Sequence, residues 1–215
     1  MSSENAALNE LGFDPVELRE KYRIERDKRL RTDGSEQYQE VVGDFSHYVD
    51  DPYVEKGFTR AALEDQVDVI VIGGGFGGLL SGARLTEAGV GSVRIIEKGG
   101  DFGGTWYWNR YPGAACDVES YVYLPLCEEL NFVPKEKYTH APEILAHSKA
   151  IGEKFNLYEH ACFQTEAQGL EWDEVTKLWT VKTNRGDRMR ARYVVMANGP
   201  LNRPKLPGIE GISDY

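Results

Sequence analysis

The chain has 215 residues, enough to bury one good core plus a small appendage. Its 25 Lys and Arg against 35 Asp and Glu leave a formal charge of −10, which disfavours nucleic acid and anionic membrane surfaces as partners. No apolar run approaches transmembrane length and the first residues are polar rather than signal-like, so a reduced, cytoplasmic setting is expected.

Residues 1–65 read as a polar, helical N-terminal extension. Glu17 to Leu30 alternates charge sign at helical spacing, with Leu18, Tyr22 and Leu30 on one side, the pattern of a solvated surface helix with a narrow docking stripe. Interleaved Glu and Asp argue against a nucleic-acid arm. The Asp33-Gly34 pair is the expected stop.

Gln66 to Ile72 is short, β-branched and mostly apolar, as a buried parallel strand should be. It runs into Gly73-Gly74-Gly75-Phe76-Gly77-Gly78, which fills GxGxxG with Gly73, Gly75 and Gly78. Gly73 allows the tight turn, Gly75 lets backbone approach a pyrophosphate, and Gly78 permits close packing of helix on strand. Phe76 to Ala88 is the expected helix, with Gly89 just past its end and a partly positive N-terminus suited to a diphosphate. A second strand, Val93 to Ile96, ends at Glu97. An acidic residue about twenty positions beyond the glycines accepts hydrogen bonds from ribose hydroxyls and repels a 2′-phosphate, which favours FAD or NAD over NADP here. Strand, glycines, helix, strand and acid in this order are far more specific than an isolated glycine turn.

Next comes Gly103-Gly104-Thr105-Trp106-Tyr107-Trp108-Asn109-Arg110-Tyr111-Pro112-Gly113-Ala114-Ala115-Cys116-Asp117-Val118-Glu119-Ser120. Loops are usually small and polar, and long ones without regular structure are uncommon unless they bind something. This one sets two Trp and two Tyr among glycines, a composition suited to a wall against a large flat ligand. After a dinucleotide signature, that ligand is expected to be the isoalloxazine end of FAD. Taken alone, Trp106 and Trp108 also fit core aromatics that lie in a loop, and Asp117 also fits a helix N-cap near Glu119.

Through these residues the chain resembles the Baeyer–Villiger monooxygenases, flavoprotein enzymes that use FAD and NADPH. The resemblance continues through Tyr121 to Leu126, Tyr138 to Ile144, Tyr193 to Leu201 and Leu206 to Gly211, and covers most of 66–211. It implies that Thr105, Trp106, Tyr107 and Trp108 run along the flavin, that Asp117 and Val118 meet its ring system, and that Tyr123 hydrogen-bonds to the cofactor. It places Ala115, Cys116 and Asp117 where the nicotinamide of NADP approaches. Asp117 is also implied as the catalytic residue of this stretch, orienting an arginine supplied from further along such chains. Many family members carry Arg where this chain has Ala115, which removes one local charge. The implied reaction uses NADPH and O2 to insert oxygen beside a bulky or cyclic ketone, giving an ester or lactone, with the hard chemistry carried by the flavin. An N- or S-oxygenating flavin monooxygenase and a non-catalytic FAD-binding remnant are the alternatives.

Pro142 to Leu157 reads as a surface helix, and Phe163 to Trp172, Leu178 to Thr183 and Arg190 to Met196 as a meander leading into the last core strand. His47, His140, His147 and His160 lack metal spacing and read as surface or capping residues. Cys116, Cys127 and Cys162 form no CxxC pair, so neither a dithiol redox centre nor a disulfide scaffold is supported. The expected fold is α/β: a Rossmann-like FAD-binding domain over 66–203, with a parallel sheet plus β-meander. Residues 204–215 would begin a linker toward an NADPH domain. The family's second GxGxxG does not occur in these 215 residues. The chain is therefore expected to supply most FAD contacts without completing NADPH-driven turnover alone, and a C-terminal half or partner chain would supply the rest.

Overall fold

Five β-branched side chains in Gln66–Ile72 make this segment strand β2, the middle of a six-stranded sheet. Strands β3 (Val93–Ile96) and β7 (Arg188–Met196) flank it, both parallel to it. Strand β4 (Ala161–Cys162) continues parallel beyond β3, while β6 (Leu178–Thr183) and β5 (Ala167–Asp173) continue antiparallel beyond β7. The order β4-β3-β2-β7-β6-β5 is thus the parallel sheet plus meander expected from the pattern.

The structure, a computed structural model, describes residues 12–214, which fall into two compact units. Residues 1–11 and Tyr215, assigned above to the extension and to the linker, lie outside the described residues. The first unit takes its chain from 1–47 and 204–215. Its helix α1 (Pro15–Asp27) is capped by Asp14, whose carboxylate accepts from the Val16 and Glu17 N–H groups at 2.7 and 3.4 Å. No residue of α1 is buried, in keeping with a solvated helix, and the helix ends three residues before Leu30. Strand β1 (Tyr38–Glu40) pairs antiparallel with β8 (Lys205–Pro207), so part of the expected linker is strand in this unit.

The second unit is residues 48–203. Alternation along β2 sends Val69 and Val71 to one face, where they pack with Val93 and Ile95 under Leu79 and Ala83 of helix α2 (Phe76–Glu87) and Ile151 of helix α5 (Ala141–Lys154). Ile70 and Ile72 go to the other face, with Ile96, Val181, Met189 and Ala191. Burying each such aliphatic side chain stabilises the fold by roughly 1.5–3 kcal/mol. Helix α5 stops at Lys154 rather than at Leu157 because Asn156 takes a left-handed φ of 54°. Gln164, at φ 50°, likewise interrupts the expected Phe163–Trp172 strand, which begins only at Ala167, as β5. His147 corrects the surface reading: it is buried on the inner face of α5, and its Nε2 lies 2.7 Å from the Pro125 carbonyl oxygen.

Register fixes where the site can be. Ile72 is paired with Ile96 on one side and Met196 on the other, so β2, β3 and β7 end together. The residues that follow, Gly73, Glu97 and Ala197, therefore share the carboxyl edge of the sheet. Ligands of open α/β sheets bind outside such an edge, where the chain departs in opposite directions.

Candidate cofactor site

The glycine loop is held to the sheet by backbone. The Gly73 N–H donates to the Ile96 carbonyl at 2.8 Å, and Ala197 N–H to the Ile72 carbonyl at 2.8 Å. Gly73 has φ +111°, and a Cβ there would lie 2.4 Å from the Ala197 carbonyl oxygen. At Gly78 a Cβ would lie 1.8 Å from the Gly73 carbonyl oxygen, so the helix can approach the strand only with glycine at this position. Gly75 is the N-cap of α2 and supplies no capping side chain, which leaves the first-turn N–H groups for a ligand.

Glu97 is buried. Its Oε2 accepts from Gly74 N–H at 2.5 Å and its Oε1 from Gly99 N–H at 2.6 Å. The carboxylate thus braces the glycine loop against the turn after β3, a role beyond the ribose contact expected from its spacing. Two backbone donors leave lone pairs on both oxygens, so ribose hydroxyls can still be accepted. Burial pushes the Glu97 carboxyl above its usual range, opposed by the Gly99 and Gly74 donors.

The aromatic stretch begins as a single helical turn, α3 (Thr105–Trp108). Its N-cap Gly104 has φ +53°, and a Cβ there would lie 2.7 Å from the Gly75 Cα. Gly103 N–H donates to the Gly74 carbonyl at 3.0 Å. The Gly103-Gly104 pair therefore seats the aromatic turn directly against the N-terminus of α2. Trp106 is buried among Ala114, Cys116, Leu124, Ala141 and Ile144, and its Nε1–H donates to the Tyr123 hydroxyl at 2.8 Å. Tyr123 also meets the Phe76 ring edge-on at 5.5 Å, joining the glycine loop to the aromatic turn. Among the described residues, the Tyr123 proton has no acceptor, so it remains available to a ligand.

Tyr107 is buried, at 2 % exposure. Its hydroxyl donates to Asp51 Oδ2 at 2.7 Å and accepts from Gly100 N–H at 2.9 Å. Burial, and then the hydrogen bond to Asp51, hold the phenol well above its usual range. Thr105 and Trp108 are half-buried.

Ala115 is exposed in an isolated bridge with His140, while Cys116 is buried, its Sγ accepting from Val118 N–H at 3.4 Å. Asp117 and Val118 are exposed. The helical turn α4 (Ser120–Tyr123) is capped at Glu119 with no side-chain hydrogen bond, so Asp117 is not its cap. Among the described residues the Asp117 carboxylate has no hydrogen-bond or ion-pair partner. No group of three or more metal-binding side chains occurs among the described residues. Sequence reasoning missed Asp51 and Tyr53, which act on this site from far upstream and carry no local motif.

These residues fit a flavin dinucleotide. The glycine cradle admits backbone where any side chain would clash, a helix N-terminus is left uncapped, and a carboxylate stands at the second strand's end. A model described as an NAD(P)-binding Rossmann-like domain matches residues 71–131. A Baeyer–Villiger monooxygenase of Stachybotrys chlorohalonatus, ATR8, is 49 % identical over 207 residues, which are 96 % of this chain and 33 % of the relative. The polycyclic ketone monooxygenase of the thermophilic fungus Thermothelomyces thermophila superposes with a TM-score of 0.82 at 37 % identity, over 92 % of this chain and 34 % of that one. The structure of OTEMO in complex with FAD and NADP matches 69 % of this chain and 29 % of its own, with a TM-score of 0.64 at 32 % identity. The chain spans about a third of the length of the curated relatives it matches.

Proposed function

The chain belongs to the Baeyer–Villiger monooxygenases, and from that premise we propose that it holds FAD for the insertion of oxygen beside a ketone, with NADPH and O2 as co-substrates. The product would be an ester or lactone. The observation that carries this reading is the approach of Gly104 to Gly75, which makes the diphosphate cradle and the aromatic turn one continuous surface. Relatives named as an FAD-binding monooxygenase and as a complex with FAD and NADP support the choice of cofactors.

Bound FAD would accept the reducing equivalents of NADPH and deliver them to O2, and the chain's own residues do the positioning. The first-turn N–H groups of α2 hold the diphosphate, and Glu97 accepts the ribose hydroxyls. Thr105 to Trp108 close over the ring system, with Trp106 and Tyr123 holding each other in place. Tyr123 offers its remaining proton to the cofactor. Asp117 and Val118, exposed beside this wall, face the ring system and the approaching nicotinamide. Ala115 and Cys116 line the same approach. The Asp117 carboxylate, without a partner among the described residues, is placed to orient a cationic group there.

Purified chain incubated with FAD and then freed of small molecules should retain a flavin absorbance band at close to one FAD per chain. Folded protein that retains none at micromolar concentration would contradict the reading.

A further inference from the structure

Helix α3 is one turn long, begins after two glycines and has no capping side chain, so it cannot hold its own geometry. What fixes it comes partly from residues 48–54, upstream of the nucleotide fold. Asp51 Oδ1 accepts from Tyr53 N–H at 2.9 Å, which orients the carboxylate. Oδ2 then accepts both the Tyr107 hydroxyl at 2.7 Å and Gly100 N–H at 3.0 Å. One carboxylate oxygen therefore joins the aromatic turn to the turn that follows Glu97. A second contact reinforces it: the Arg110 guanidinium lies 3.7 Å from the Tyr53 ring centroid and 4.6 Å from that of Tyr107, while its Nε donates to the Tyr107 carbonyl at 2.8 Å. Val54 lies where a Cβ at Gly100 would come within 2.2 Å of its Cγ1, so the segment is packed onto glycine backbone.

We propose that Asp51 is a positioning residue of the cofactor site, locking the adenosine-side turn and the flavin-side turn into one preformed surface before FAD arrives. This rests on the FAD reading above. Charge-assisted hydrogen bonds are short and strong, and a surface ordered beforehand need not be ordered on binding. The upstream segment thus serves cofactor affinity rather than chain solubility.

The test is FAD titration of the full chain by flavin fluorescence, with the near-ultraviolet circular dichroism of the FAD-free protein and its unfolding midpoint measured in parallel. Asp51→Ala is expected to raise the Kd for FAD about tenfold, to shift the bound-flavin absorbance, and to reduce the aromatic dichroism. Tyr107→Phe should do the same, and the double variant should be less than additive because both remove one link. Asp51→Asn, which keeps one neutral acceptor for Tyr107 and Gly100 but turns its amide N–H toward the Tyr53 N–H, should restore only part of the affinity. If Asp51→Ala does not fold, Tyr53→Ala carries the test, with a smaller rise in Kd expected. A lowered midpoint with unchanged Kd and flavin spectrum would make the link merely structural and overturn the proposal. Wild-type chain that takes up no FAD would instead overturn the cofactor reading, and this inference with it.

Discussion

Glu97 braces Gly74 and Gly99 with one carboxylate, and the proposed ribose contact would fall on the same oxygens. Its pH behaviour follows from that. Burial raises its pKa in the folded chain, so folding favours the protonated form. Its contribution to stability is thus present below the unfolded pKa and is lost as pH rises through the folded value. Hydroxyl donors favour the ionised form, so FAD affinity should run the other way and weaken as pH falls through the same interval, above the ordinary carboxylate range. Titrations of FAD and unfolding midpoints across that range would show opposite slopes, and Glu97→Gln should flatten both while weakening FAD about tenfold. At Gly78 the prediction is steric. Gly78→Ala must displace the Gly73 carbonyl, and should lower the unfolding midpoint and abolish FAD uptake together. Both residues were legible from spacing alone. The backbone partners of Glu97 were not, because they depend on the turn after β3 folding back on the glycine loop.

Among the elements, the approach to β2 is tied to the meander by a buried ion pair. Arg60 forks onto both oxygens of Asp187 at 2.6 Å, Thr183 Oγ1 donates to Oδ2 at 2.5 Å, and Leu63 N–H donates to Oδ1 at 2.8 Å. Burial alone would raise the Asp187 pKa, but these donors and the charge of Arg60 outweigh it and bring it to about 2. A depressed carboxylate stabilises the fold above its unfolded pKa, and that contribution disappears as pH falls through about 2. Asp187→Ala leaves the Arg60 charge without its partner and should cost about 3 kcal/mol in denaturant unfolding at neutral pH. The variant should also lose the drop in stability that the wild type shows between about pH 4 and 2. The meander pattern over Leu178 to Met196 announced this hairpin, yet a partner 127 residues upstream of Asp187 left no periodic or local trace. The breaks at Asn156 and Gln164 were illegible for a similar reason: both adopt left-handed backbone without glycine.

At the level of the whole molecule, the parallel sheet with its meander follows from patterns visible in the chain, while the joining of glycine loop to aromatic turn does not. Short β-branched apolar runs marked the parallel core and period-two alternation the meander, whereas the meeting of Gly104 with Gly75 had no reading in the sequence. Composition misled where it grouped residues by polarity rather than by packing. Residues 48–65 share the charge-rich character of the extension, but they belong to the nucleotide-binding unit through Asp51, Tyr53, Arg60 and Leu63. Lys205 to Pro207, read as linker, pair with Tyr38 to Glu40 instead. Such pairings depend on long-range closure that no window of sequence encodes. The most direct test of the site is a crystal structure of this chain grown with FAD. The diphosphate should lie on the N–H groups that open α2, with the ring system against Thr105 to Trp108. Flavin bound away from Gly75 and Gly104 would contradict that placement.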